Sequence, residues 1–130
     1  MPRFRYCGDT LFLVGCGLYG INRWLVKPWL EPGFMMFHFN DLWLMSCALP
    51  PVLWLYRRLG LRADDAPPHV GEIAAHAIFW SLLFEWIGPQ AMGNTAGDPA
   101  DVVAYAAGAL VSGLWWNRQR WLPLPEPARA

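Results

Sequence analysis

Val70–Ile87 reads VGEIAAHAIFWSLLFEWI, and only Glu72, His76 and Glu85 in it have ionisable side chains. A helix rises about 1.5 Å per residue, so a stretch of this length just crosses a hydrocarbon core of roughly 30 Å. A proline pair at residues 67–68 precedes it, and a Gly-rich segment begins at Gly88. The stretch therefore predicts a transmembrane helix.

Three further apolar runs have a similar length, at about 10–26, 41–59 and 101–117. Apolar residues make up 55% of the 130-residue chain and charged residues 15%, against about 25% charged in ordinary soluble domains. Nine Trp favour a chain that meets membrane interfaces. We predict an all-α fold: one domain over 1–130 that forms a bundle of four transmembrane helices, with a disordered tail at about 122–130. A soluble helical bundle is the alternative, because each run contains polar groups.

The basic residues favour the membrane bundle. With a cytoplasmic N-terminus, eight of the ten fall on the inner side, and only Arg23 and Lys27 fall on the outer side. The inner ones are Arg3, Arg5, Arg57, Arg58, Arg62, Arg118, Arg120 and Arg129. The positive-inside rule predicts this bias for four spans with cytoplasmic N- and C-termini. We therefore predict a multi-pass protein of the bacterial inner membrane that contacts membrane lipids.

Charge and motifs exclude several other classes. The formal net charge is zero, which gives no attraction toward nucleic acid. Three cysteines without a CxxC pair indicate neither a disulfide framework nor a zinc site, and HExxH, GxSxG and P-loop patterns are absent from the sequence. Leu13–Cys16 matches a lipoprotein lipobox, but the following residues stay apolar where a polar tether would be expected. We predict no metal and no cofactor.

On this topology the outer side is acidic. Five carboxylates lie near it, opposed only by Arg23 and Lys27, and His38 belongs to the same side. We predict a pocket for a lipid headgroup or a cation, formed by Asn40, Asp41, Glu85, Asp98, Asp101 and Tyr105, with Glu31 in the loop above. Helix capping is the alternative for Asn40, Asp41, Asp98 and Asp101, since each stands where a helix begins. Glu85 has no such explanation, because it lies near a helix C-terminus, where the dipole disfavours a negative charge.

Two other patterns predict a contact within one helix and a contact between helices. Glu72 and His76 stand four residues apart, so they can touch as an intramembrane polar pair. Such a pair could relay a proton or, with a third ligand, hold a metal, although a glutamate also suits the first turn. The small residues Ala104, Gly108 and Ser112 let another helix approach closely, either inside the chain or across a homo-oligomer seam.

Two local expectations concern single positions in these helices. Tyr105 lies on nearly the same face as Asp101 and is expected to donate to it. Pro50-Pro51 is expected to kink or break the second helix, because proline lacks the backbone donor.

Four segments resemble a group of small polytopic bacterial inner-membrane proteins to which no activity is assigned. They are FNDLW (39–43), RRLGLR (57–62), EIAAHAIFWSLLFE (72–85) and GDPADVVAYAAG (97–108). The last segment is also weakly similar to VanZ-like membrane proteins, some of which are linked to glycopeptide resistance. The resemblance implies a membrane fold and places the candidate residues in its motif segments.

Three functions are consistent with these patterns. The first is an envelope binding or accessory protein that uses the acidic pocket. The second is a subunit packed within a larger membrane protein complex, in which the acids cap helices and the Trp residues contact lipid. The third and least favoured is a membrane enzyme or proton-coupled carrier that uses Glu72, His76 and Glu85.

Overall fold

A computed structural model describes residues 3–93 and 98–122, and within these ranges all regular secondary structure is helical. The long helices are α1 (Thr10–Gly20), α4 (Leu44–Arg58), α5 (Val70–Leu82) and α7 (Pro99–Trp116). The short ones are α2 (Phe34–Phe37), α3 (Phe39–Leu42), α6 (Gly88–Met92) and α8 (Arg118–Trp121). π-Helical stretches continue α1 over Ile21–Val26 and α5 over Leu83–Ile87, and 3₁₀ turns occupy Tyr6–Gly8 and Lys27–Trp29. The predicted all-α class is confirmed for this part of the chain, and the predicted tail beyond Leu122 lies outside it.

The four predicted runs correspond to the long helices, with two differences at their ends. The second run is interrupted at Trp43, which separates α3 from α4. The third run continues without a break through the π-helical stretch and α6, so its helical backbone ends at Met92 rather than Ile87. Glu85 is therefore not at a helix C-terminus, and the expected conflict with the dipole of its own helix does not arise.

Of the kink or break expected at Pro50-Pro51, the break does not occur, because α4 runs unbroken from Leu44 to Arg58. Proline already has a helical φ, so its cost in a helix comes from the missing donor and from the clash with the preceding turn. Leu49 and Leu53 are fully buried around Pro50, which is itself buried. Packing of this face of α4 therefore compensates for the two missing backbone hydrogen bonds.

The core lies on α4, between α1, α5 and α7. Met45, Leu49 and Leu53 of α4 pack in one cluster with Ile73 of α5 and Trp116 of α7. Phe4, Tyr6 and Leu11 complete this cluster from the N-terminal segment. Asp9 then links the two ends of the chain, because its carboxylate caps α1 and accepts a hydrogen bond from the Trp116 indole nitrogen at 2.9 Å.

Most of the apolar surface remains outside this core. Among the described residues, ten apolar side chains are buried and 29 large ones are exposed. Val70–Ala91 is the one continuous helical stretch in the described part that is long and apolar enough to cross a membrane, with a mean hydropathy of 1.3, and only 6% of it is buried. The core helix of a soluble protein would be mostly buried, so this span is exposed as a lipid-facing helix would be.

Candidate binding site

Three distant parts of the chain meet at the N-terminus of α7. His38 lies between α2 and α3, Asp41 lies in α3, and Glu85 lies in the π-helical stretch after α5. Asp98 and Asp101 begin α7. We call these five residues the acidic cluster. Its assembly depends on the close packing of α3 on α7, since these two helices have one of the most extensive contacts in the fold.

His38 stands between the two aspartates of α7. Its Nδ1 lies 2.6 Å from an Asp101 carboxylate oxygen, and its Nε2 lies 3.9 Å from Asp98. One ligand atom from each of these three side chains falls within 4.8 Å of the others, so they can hold a metal ion. In the tautomer with its proton on Nδ1, His38 donates to Asp101 and directs the Nε2 lone pair toward Asp98. A carboxylate that orients a histidine in this way is common around protein-bound metals.

Glu85 connects the α5 side of the cluster to α7. One carboxylate oxygen accepts a hydrogen bond from the Asp98 main-chain N–H at 2.6 Å, and the other accepts from the Tyr105 hydroxyl at 3.3 Å. The charge of Glu85 therefore faces the N-terminus of α7, where the helix dipole stabilises an anion. π-Helical turns are frequent at functional sites, and Glu85 lies in one.

Asp41 completes the cluster from α3. The Asp101 carboxyl group is its main charged neighbour, and His38 and Glu85 are the others. Carboxylates this close repel each other unless a proton or a cation lies between them. Among the described residues, no Lys or Arg lies within 4.0 Å of any carboxylate in the cluster. His38 is the only basic side chain within that distance of them there.

The capping roles expected from the sequence apply only in part. Asp98 does cap α7, accepting from the Ala100 N–H at 2.9 Å. Asp101 does not complete a capping box, because Glu85 accepts the Asp98 N–H in its place. Neither Asn40 nor Asp41 caps a helix, since α3 and α4 begin without a side-chain cap.

Three hydrogen bonds in this region were not anticipated by the sequence patterns. The Tyr105 hydroxyl donates to Glu85 rather than to Asp101, because Glu85 approaches α7 from the neighbouring helix. Asn22 is buried in the extension of α1, and it donates to Asn40 Oδ1 at 3.0 Å and to the Met35 carbonyl at 3.2 Å. Its only sequence signal was a polar residue near the end of an apolar run.

A cavity of about 280 Å³ adjoins the cluster. Its lining includes the only two basic residues of the predicted outer side together with Asp41 and four aromatic rings. The lining residues are Tyr19, Arg23, Lys27, Phe37, Asn40, Asp41, Leu44, Phe84 and Tyr105. We call it the mixed-charge cavity. It shares Asp41 with the acidic cluster and Tyr105 with the hydrogen bonds of Glu85, so a ligand in the cavity lies next to the cluster.

Glu72 and His76 do not form the expected side-chain pair. The His76 ring nitrogen contacts the Glu72 main-chain carbonyl at 2.7 Å, so the carboxylate is not its partner. The Glu72 carboxylate instead accepts from the Arg62 guanidinium and from the His69 N–H, completing the capping box of α5. These contacts fix the start of α5 and leave no relay between the two side chains.

The small-residue stripe of α7 packs inside the chain. Ala104 and Ser112 are buried, and a Cβ added at Gly108 would collide with the main-chain carbonyl of Leu42. The stripe therefore lets α3 approach α7, which brings Asp41 to Asp101. It does not form an exposed seam, so a homo-oligomer would require another surface.

Comparisons of the chain with protein-family models, with curated proteins and with solved structures give no match. The chemistry of the site is therefore inferred from its own residues. Carboxylates and an imidazole in this arrangement suit a cation such as Mn²⁺ or Zn²⁺, or an ammonium group.

Proposed function

We propose that this chain is a multi-pass protein of the bacterial inner membrane, with four spans and both termini in the cytoplasm. We propose further that it acts as an envelope binding protein, whose acidic cluster takes a cation or an amine-bearing headgroup on the outer side. Its resemblance to small inner-membrane proteins is consistent with this topology.

The exposed side chains support the membrane part of the proposal. Six of the nine Trp side chains are exposed, and each lies near an end of a predicted span. Trp24, Trp29 and Trp86 fall toward the outer side, and Trp54, Trp115 and Trp121 fall toward the inner side. Such belts are typical of the two membrane interfaces. Arg58 lies over the Trp54 ring and Arg118 over the Trp115 ring, at 5.1 and 4.2 Å, which suits the headgroup level of the inner leaflet.

The topology can be tested by cysteine labelling. In a background lacking Cys7, Cys16 and Cys47, Glu31→Cys should react with a membrane-impermeant maleimide in intact spheroplasts. Leu61→Cys, which is also exposed, should react only after the membrane is opened. Equal labelling of both positions in intact spheroplasts would contradict the four-span arrangement.

The observation that carries the binding proposal is that four carboxylates from three chain segments gather near one histidine, with no Lys or Arg partner among the described residues. Their mutual repulsion is relieved when a cation binds among them. The metal-ligand spacing of His38, Asp98 and Asp101 makes Mn²⁺ a suitable probe.

Binding can be measured by electron paramagnetic resonance of Mn²⁺ with the purified protein in mild detergent. Asp101→Asn and His38→Gln should weaken Mn²⁺ binding at least about tenfold, which corresponds to about 1.4 kcal/mol. Asp64→Asn is the matched control, because Asp64 is exposed in the loop before α5 and far from the cluster in sequence. Unchanged Mn²⁺ binding in both cluster variants would exclude this site.

A second candidate is a subunit of a larger membrane complex. It is favoured by an apolar groove of about 290 Å³ between α5 and α7, which another helix could fill. The lining residues are Val70, Ile73, Ala74, Ala109, Leu110, Gly113, Leu114 and Trp121. Purification in mild detergent followed by mass spectrometry should then recover a defined partner protein, and single acid variants should have little effect. Recovery of the chain with lipid only would favour the binding protein.

A further inference from the structure

The mixed-charge cavity presents positive and negative groups to the same space. Arg23 and Lys27 come from the π-helical extension of α1 and the 3₁₀ turn after it, whereas Asp41 comes from α3. Arg23 is exposed, and Lys27 and Asp41 are partly buried. A ligand in this cavity therefore meets cations contributed by one part of the chain and a carboxylate contributed by another.

These opposite charges do not pair with each other. Among the residues that the structure describes, neither Arg23 nor Lys27 has a carboxylate within 4.0 Å. The predicted inner side is different, because Arg3 and Arg57 bind Asp65, and Arg62 binds Glu72. Charges of both signs that line one cavity without direct pairing leave each free to bind a ligand group of the opposite charge.

The remaining lining suits an ammonium group near Asp41. Tyr105 and Phe84 present aromatic surface there, which attracts cations, and Asn40 supplies a side-chain oxygen. A primary ammonium has three donors, so it can bind several such acceptors together. Near Arg23 and Lys27, a phosphate can accept hydrogen bonds from the arginine fork and the lysine ammonium.

The size and position of the cavity indicate a small group attached to a lipid. Its volume of about 280 Å³ lies just below the range of small-molecule sites, roughly 300–1,000 Å³, which suits a small group. The exposed side chains Ile21, Trp24 and Leu25 flank Arg23 in sequence, so the stretch that supplies the cations also carries apolar surface. Acyl chains attached to a group in the cavity could lie along these apolar side chains.

We propose that the mixed-charge cavity binds a zwitterion that carries a phosphate and a primary ammonium, as in the headgroup of an ethanolamine phospholipid. Arg23 and Lys27 bind the phosphate, and Asp41 binds the ammonium. This inference rests on the proposed function, because it names the amine-bearing headgroup and adds the phosphate that the acidic cluster alone would not select.

The test uses the full-length protein in mild detergent and native mass spectrometry with short-chain phospholipids. The ethanolamine lipid should bind at least about tenfold more tightly than the matching glycerol lipid, which lacks the ammonium, and the choline lipid, whose ammonium has no donors. Soluble O-phosphoethanolamine tests whether the bound zwitterion is part of a lipid or a free molecule. Weaker binding than the lipid identifies a membrane headgroup, and equal binding identifies a soluble zwitterion of the same chemistry.

Two variants separate the two ends of the ligand. Asp41→Asn should remove the preference for the ethanolamine over the glycerol lipid. Arg23→Gln combined with Lys27→Gln should weaken both lipids about tenfold or more, while Mn²⁺ binding to the acidic cluster persists. Arg118→Gln combined with Arg120→Gln is the matched control, since these arginines are exposed at the predicted inner side. Thermal unfolding of each variant establishes that it is folded.

The outcomes distinguish this inference from the proposed function. The zwitterion proposal is overturned if the ethanolamine and glycerol lipids bind equally, or if the Arg23 and Lys27 substitutions have no effect. Mn²⁺ binding would then still support the acidic cluster as a cation site. If the wild-type protein neither prefers the ethanolamine lipid nor binds Mn²⁺, both proposals are overturned.

Discussion

The close approach of α3 to α7 at Gly108 can be tested with a single methyl group. In Gly108→Ala the new Cβ would collide with the carbonyl oxygen and carbonyl carbon of Leu42. Main-chain atoms cannot rotate away as a flexible side chain can, so α3 must shift. Gly113→Ala on the same helix is the matched control, because its Cβ would lie 3.7 Å from the Ile73 side chain, an ordinary contact.

The magnitude follows from comparing the two variants. Replacing a helical glycine with alanine stabilises each variant by about 0.5–1 kcal/mol, and this contribution cancels when the two variants are compared. Overpacking costs about 1–3 kcal/mol, and contact with main chain favours the upper half of that range. We therefore expect Gly108→Ala to be about 2–3 kcal/mol less stable than Gly113→Ala, with Gly113→Ala at or above the wild type.

Denaturant unfolding in mild detergent, followed by Trp fluorescence, measures this difference. Mn²⁺ binding should also weaken in Gly108→Ala but not in Gly113→Ala, because a shift of α3 moves Asp41 and His38 relative to Asp101. Equal stability of the two variants would refute the reasoning, since it would mean that the carbonyl of Leu42 does not contact α7.

Three further predictions concern the predicted inner side. Asp9→Ala removes the cap of α1 and the acceptor of a buried indole N–H, so denaturant unfolding should show a loss of about 2–4 kcal/mol. The hydrogen bond from Tyr6, followed by Arg57 and Arg3, lowers the pKa of Asp65 below its ordinary value of 3.8. The ionised Asp65 therefore stabilises the folded chain above pH 3.8, and this stabilisation is lost as the pH falls through the lowered pKa. Tyr6→Phe should therefore flatten the acid limb of a plot of stability against pH. Arg62→Lys keeps the charge but loses the fork that donates to Glu72 and two main-chain carbonyls, so thermal unfolding should show a loss of about 1–3 kcal/mol.

Each of these has a contradicting result. An Asp9→Ala variant that is as stable as the wild type would show that no oxygen acceptor is needed at this position. An unchanged acid limb in both Tyr6→Phe and Asp65→Asn would remove Asp65 from the acid response. Full stability of Arg62→Lys would mean that charge alone, without the fork, holds the start of α5.

The sequence determined the helical class and the approximate position of each long helix. Apolar runs of nearly constant length leave few alternatives to a helix, because each long run must satisfy its backbone N–H and C=O groups by hydrogen bonds within itself. It also predicted the cap that Asp98 forms on α7, since Asp98-Pro99 is a strong helix start. It did not predict that α4 stays unbroken at Pro50-Pro51, because the packing around Leu49 and Leu53 involves residues distant in sequence.

Only the tertiary structure decided which polar groups meet. The contacts of His38 with Asp101 and of Glu85 with Asp98 and Tyr105 join residues 13 to 63 positions apart in the chain. No periodicity within one helix encodes such contacts, because they depend on how closely α3 and α5 approach α7. The sequence fixes side chains relative to their own helix axis, whereas Gly108 and the packing around it set the distance between helices, and that distance forms both the acidic cluster and the mixed-charge cavity.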